Sequence, residues 1–167
     1  MSSIPDRTSL SYRKKSSALI FNSDNKLLLV QPISYSETQW NVPGGGIEEG
    51  ETSAEAVMRE LLEELGTDLF EILEESPIQN IYDFPDDVLV RVMSDGRLHR
   101  GQHQTQFIVR FLGDDTDIQL QAEELRRHMW VDYHDLEAYL LFPNQLVNIQ
   151  KVIASSDAVR HVTLKKE

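Results

Sequence analysis

Three consecutive glycines, Gly44 to Gly46, stand a short loop ahead of a helical pattern over residues 53–65 that stops at another glycine, Gly66. Thr52 and Glu55 have the spacing of an N-terminal capping box, and Gly66 stands where a helix stop belongs. At about 100° per residue, Ala54, Val57, Leu61 and Leu65 make one apolar stripe, flanked by Met58 and Leu62. A helix with such a stripe must lie on something apolar, and a sheet is the natural support. On another face, Glu60, Glu63 and Glu64 gather within an arc of about 100°. Like charges at these spacings cost a few tenths of a kcal/mol each when solvated, and more when partly buried. A wet acidic face is the ordinary meaning of such a cluster. A chelating face is the other, and it needs converging oxygen ligands with something for a cation to act upon. The glycine loop offers the second requirement, because backbone amides and carbonyls can approach a ligand where side chains would block them.

The rest of the 167-residue chain reads as one mixed α/β domain over residues 16–157. A polar, flexible arm is expected at 1–15 and a tail at 158–167. The only basic run of the arm, Arg13-Lys14-Lys15, reads as solvated. Ser17–Phe21 and Lys26–Val30 flank the turn Asn22–Asn25 as two strands. Trp40–Val42 is a short extended piece ending at Pro43. Further short strands are expected at Phe70–Leu73, Gln79–Tyr82, Thr105–Leu112 and Met129–Val131. Helical segments follow at His134–Leu141 and Phe142–Ser155. There is no cysteine, which excludes disulfides, thiolate metal sites and cysteine nucleophiles. No apolar run approaches a membrane span and no signal peptide opens the chain, so a soluble cytoplasmic protein without a membrane partner is expected. The net charge of −12 argues against coating DNA or long RNA. It leaves room for a single nucleotide or one phosphorylated end, with divalent cations between the phosphates and the acidic protein.

Gly45, Glu51, Arg59, Glu60, Leu61, Glu63, Glu64 and Gly66 keep every spacing of the signature box of the Nudix hydrolases, which the chain closely resembles. Thr67 departs from it, standing where an aliphatic residue is usual. The resemblance implies an α/β/α sandwich around a mixed sheet, and hydrolysis of a nucleoside diphosphate linked to a further group. It implies Mg²⁺, or Mn²⁺, held by Glu60, Glu64, Glu63 and the Gly44 carbonyl. Arg59 would orient a glutamate, Glu51 would hold the loop or a second ion, and Glu63, Glu64 or Asp117 would serve as base. Family members are often homodimers, although nothing in this chain marks a dimer face.

Outside the box, Tyr82-Asp-Phe-Pro85, Gly101-Gln-His-Gln104 and Phe107 fall in the order seen in the RNA pyrophosphohydrolase and diadenosine polyphosphate hydrolase subgroup. Asp117 resembles its distal carboxylate, with Glu123 and Glu124 as rivals. Tyr82, Phe84, His103, Gln104 and Phe142 are the substrate-binding residues this implies, though packing explains the aromatics equally simply. The subgroup's basic residues are thinned here: His103, Thr105 and Gln31-Pro32 stand near positions where it carries cations. A dinucleoside polyphosphate or a 5′-triphosphorylated RNA end is the substrate expected. A nucleoside triphosphate or nucleotide sugar is the alternative, and a nucleotide sensor without turnover is the alternative of another class.

Overall fold

The computed structural model describes residues 6–164. Its centre is a seven-stranded mixed sheet: β1 (Ser11–Phe21), β2 (Leu27–Pro32), β3 (Gly44–Gly46), β4 (Phe70–Glu75), β5 (Asn80–Asp83), β6 (His99–Phe111) and β7 (Leu125–Val131). The order along the main path is β4-β6-β1-β2-β7, with β3 paired to β1 and β5 paired to β6. β1 and β6 run parallel; the other pairings are antiparallel. Helix α1 (Ser53–Leu65) covers one face, where Ala18, Ile20, Leu28, Val57, Leu61 and Phe107 share a buried cluster. Helix α3 (Gln145–Ala154) covers the other, with Leu19, Phe21, Leu29, Ile108, Val152 and Ile153. Burial on both faces is why 18–21 and 27–30 read as unbroken apolar runs rather than alternating ones. The expected α/β/α sandwich is the fold observed.

Several expectations change. Strand β1 begins at Ser11, so Ser11–Lys15 is paired strand rather than a flexible arm, although Arg13 and Lys14 remain exposed as the solvated reading expects. Its basic residues all pair with β6, and Lys15 lies between β3 and β6, opposite both Gly46 and Gln104. Composition could not show this, because the apolar signal starts only where the two helices cover the sheet. Residues 1–5 of the expected arm, and 165–167 of the expected tail, lie outside the described residues. The tail's start is not loose: Val159 is fully buried and Arg160–Thr163 forms a short 3-10 turn. The helical segment expected at His134–Leu141 is a 3-10 segment over residues 133–138. The last helix starts at Gln145, after Asn144 takes a left-handed conformation (φ 65°), so Phe142 lies in the lead-in and not on the helix. Helix α2 (Asp86–Ser94), between β5 and β6, had no counterpart in the sequence reading.

Candidate active site

The acidic helix is fixed at both ends. Thr52 Oγ1 accepts the Glu55 N–H (3.1 Å), and Ser16 Oγ on β1 donates to the Ser53 carbonyl (2.8 Å). Gly66 closes the helix at φ 69° with its N–H on the Leu62 carbonyl. Two of the carbonyls left over at this end are taken by the following segment: Gln119 N–H bonds Leu65 (2.8 Å) and Gln121 N–H bonds Glu64 (2.9 Å). That docking carries Glu124 to the helix.

Arg59 organises the loop side. Its Nε and Nη2 hold both Glu51 oxygens (2.7 and 2.9 Å), Nη2 also reaches the Gly46 carbonyl (2.9 Å), and Nη1 donates to Glu60 (2.9 Å). The guanidinium, helped by the Glu48 N–H, holds the Glu51 carboxyl down at about 2. Glu51 therefore ties the loop to Arg59. Glu60 packs over Gly45 so closely that an added Cβ would stand 2.2 Å from its carboxyl carbon. Only glycine permits that approach.

Glu64 is the perturbed member of the cluster. It is 7% exposed. Burial first, then Glu60 and Glu124, push its carboxyl up to about 8, against the Gly44 N–H and Lys15. Burial also raises Glu60; Arg59 opposes the rise, while Glu63 and Glu124 add to it. Glu60, Glu64 and Glu124 are thus close enough to repel one another, and a hard divalent cation is the partner their oxygens suit. Among the described residues no three such side chains are already gathered at ligand spacing. Arg59 engages Glu60 in this state, so a cation would compete with it. Glu63 stands at the rim, 53% exposed, 3.4 Å from Arg59.

Of the other sequence candidates, Asp117 is not brought to the cluster. Its carboxylate accepts the Asp114 N–H (2.9 Å) and closes a 3-10 turn, the local bond its Asp-rich neighbourhood favours. Glu124, one of its two rivals, is the residue whose charge acts on Glu60 and Glu64. Tyr82 and Gln104 share the α3 face of the sheet, and both hydrogen-bond Gln102 Oε1. His103 falls on the opposite face by strand alternation, bonded to Gln79 (2.6 Å), and is separated from them. Phe84 packs edge-on to Tyr82 (6.3 Å), and Phe142 packs edge-on to Tyr35 (5.1 Å). Burial and then Tyr35 push the Tyr82 hydroxyl up to about 12, while Arg13 opposes the rise. The aromatic wall accordingly includes Tyr35, whose only sequence signal was an aromatic amid the otherwise polar residues 34–39. A cleft of ≈ 530 Å³ lies beside the glycine strand, lined by Arg13, Lys14, Gly46, Glu48, Glu60 and His99. Carboxylates and cations facing one cleft suit an anionic substrate whose charge is partly neutralised by a cation.

A model of the NUDIX domain matches residues 11–152. The chain is 34% identical over 140 residues to an RNA pyrophosphohydrolase of Sphingopyxis alaskensis, covering 81% of this chain and 87% of that one. It is 39% identical over 137 residues to an RNA pyrophosphohydrolase of Acidiphilium cryptum, covering 78% and 82%. Among solved structures, the E. coli dihydroneopterin triphosphate pyrophosphohydrolase aligns with a TM-score of 0.65 at 18% identity, over 87% of this chain and 99% of that one. A C. elegans Ap4A hydrolase complex aligns with a TM-score of 0.60 at 18% identity, over 82% and 93%.

Proposed function

The chain belongs to the Nudix domain family and is a Nudix pyrophosphohydrolase, and we propose that it is a divalent-metal-dependent one acting on nucleotide polyphosphates, with a 5′-triphosphorylated RNA end first among them. The observation that carries the metal dependence is the mutual repulsion of Glu60, Glu64 and Glu124 beside the glycine strand. The substrate assignment rests on the RNA pyrophosphohydrolase relatives and on the basic strand β1 opposite that cluster. A dinucleoside polyphosphate is the second reading, favoured by the aromatic wall of Tyr35, Tyr82 and Phe142, which offers π-faces to a base.

Glu60, Glu64, Glu124 and the Gly44 carbonyl would hold Mg²⁺ or Mn²⁺. A bound ion would neutralise the pyrophosphate and lower the pKa of an attacking water. Arg59 keeps the loop and helix in register through Glu51 and the Gly46 carbonyl. Glu124 is solvent-exposed, and its side chain forms no hydrogen bond among the described residues, so it is the carboxylate with room to take the water's proton. Among the described residues no helix is long and apolar enough to cross a membrane, and we place the activity in the cytoplasm with RNA ends and free nucleotides.

The test is a panel of triphosphorylated RNA oligomer, diadenosine tetraphosphate, nucleoside triphosphate and ADP-ribose, with Mg²⁺, Mn²⁺ or EDTA, beside Glu64→Gln. Metal-dependent turnover of the RNA end, lost in the variant, is expected. Turnover of ADP-ribose alone, or turnover unaffected by EDTA, would refute the reading.

A further inference from the structure

Lys15 is a lysine with no evident structural task. It lies mid-strand in β1, between Gly46 of β3 and Gln104 of β6, and is half-buried. It forms no hydrogen bond or ion pair among the described residues. Burying an ammonium group that gains no partner is costly, and an apolar side chain would serve packing alone better. Strand alternation puts Lys15 on the α3 face with Arg13, Gln102, Gln104 and Tyr82. On its other flank Gly46 has no side chain, and an added Cβ there would stand 2.7 Å from an Arg13 terminal nitrogen. The space beside Lys15 is thus left to guanidinium and ammonium groups.

The electrostatic neighbours form a continuous series. Tyr82 is influenced by Tyr35 and Arg13. Lys15 is influenced by Arg13 on one side and by Glu64 and Glu60 on the other. The register gives the same series: Tyr82 lies opposite Gln102, Gln102 lies opposite Arg13, and Lys15 is two residues on along the same face, while Arg13 and Glu60 line one cleft beside the glycine strand. A nucleotide with its base on that wall and its reacting phosphate at the glutamates must lay the intervening phosphates along the two cations.

Resting on the polyphosphate reading above, we propose that Lys15 is a specificity-determining residue whose ammonium group binds the bridging part of the phosphate chain. It selects substrates with three or more phosphates over those with a diphosphate link. A two-phosphate chain spans less of this series and can place its reacting phosphate without reaching Lys15. The carbon stem of Lys15 rests on the sheet while its nitrogen supplies a point charge that can follow a flexible chain.

The experiment compares the full-length parent, Lys15→Met and Lys15→Arg, with magnesium present. Steady-state kinetics use adenosine triphosphate and diadenosine tetraphosphate as long chains and ADP-ribose as the short one. Binding of inorganic tripolyphosphate is measured by calorimetry as a function of salt. Lys15→Met should raise KM for the long chains about tenfold or more, the worth of one charge-assisted hydrogen bond, with a smaller effect on kcat. It should weaken tripolyphosphate binding and reduce its salt slope by about one. Its KM for ADP-ribose should change far less than its KM for the long chains, and Lys15→Arg should recover most of the loss. A urea midpoint for Lys15→Met no lower than the parent's excludes misfolding as the cause. Parent-like KM and tripolyphosphate affinity in Lys15→Met would overturn the role of Lys15 while leaving the polyphosphate reading intact. A parent that turns over ADP-ribose but no long chain would overturn both.

Discussion

Glu64→Gln should make the metal-free protein more stable, and increasingly so as pH rises. In the unfolded chain the Glu64 carboxyl ionises near 4.5, whereas in the fold burial and Glu60 hold it up to about 8. Between those values the folded state retains a proton that the unfolded state has released. Raising pH therefore favours unfolding, and stability is lost with a slope of one proton until the folded carboxyl also ionises. At about 1.4 kcal/mol per pH unit, the handicap reaches about 3 kcal/mol at pH 6.5 and about 5 kcal/mol above pH 8. Glutamine carries no such burden, and its carbonyl can still accept the Gly44 N–H that faces the carboxylate. The assay is urea denaturation in EDTA at pH 5, 6.5 and 8.5 for parent and variant. The midpoints should lie closest at pH 5 and separate by about 2 M or more by pH 8.5, at a urea slope of about 1–3 kcal/mol per M. Saturating magnesium should then raise the parent's midpoint and leave the variant's nearly unmoved, because a ligand stabilises only the state it binds. A midpoint difference that stays constant from pH 5 to 8.5 would refute the reasoning, since it would mean Glu64 ionises alike in both states.

Gly45→Ala should reduce kcat by about a hundredfold at modest cost in stability, because its Cβ would occupy the space of the Glu60 carboxyl; steady-state kinetics beside a thermal melt would check this. Glu124→Gln should lose most activity while Asp117→Asn keeps it, and equal loss in both would return Asp117 to the site. Gln106→Leu should destabilise by about 2 kcal/mol, because it strands the half-buried Asn148 amide that exchanges two hydrogen bonds with the buried Gln106, and Asn148→Leu on the same background should recover part of that loss in a double-mutant cycle.

The box of glycines and glutamates was legible because its requirements are local. A close approach over Gly45, a cap at Thr52 and a stop at Gly66 each select a residue type at a fixed offset. The sandwich was legible because both faces of β1 and β2 are apolar where helices cover them. What escaped was decided across the chain. Nothing local distinguishes Asp117 from Glu124; the choice is made by Gln119 and Gln121 bonding the end of α1. Arg13 and Lys15 resemble a solvated arm until β6 pairs alongside both and β3 pairs on the other side of Lys15. Tyr35 joins the site only because Phe142 stands 5.1 Å away, 107 positions along the chain (142 minus 35).

β3 has a role beyond admitting a ligand. Its three residues separate two populations of charge: Glu60 lies over Gly45 on the α1 side, and Arg13 lies over Gly46 on the α3 side. Successive strand residues face opposite ways, so a tripeptide of this length can present one close approach to each side. Side chains at these positions would push the carboxylate and the guanidinium outward, and the charges would then act through more solvent, where they are screened. With glycine the two sets stay near enough for Lys15 to be influenced by Glu60 and Glu64 while it lines the opposite face. The chain's overall acidity is therefore a poor guide to its affinity for phosphates. The acidic set gathers on the face of α1, and the cations that meet an anion are concentrated in three consecutive residues of β1, Arg13 to Lys15, which the net charge does not reveal.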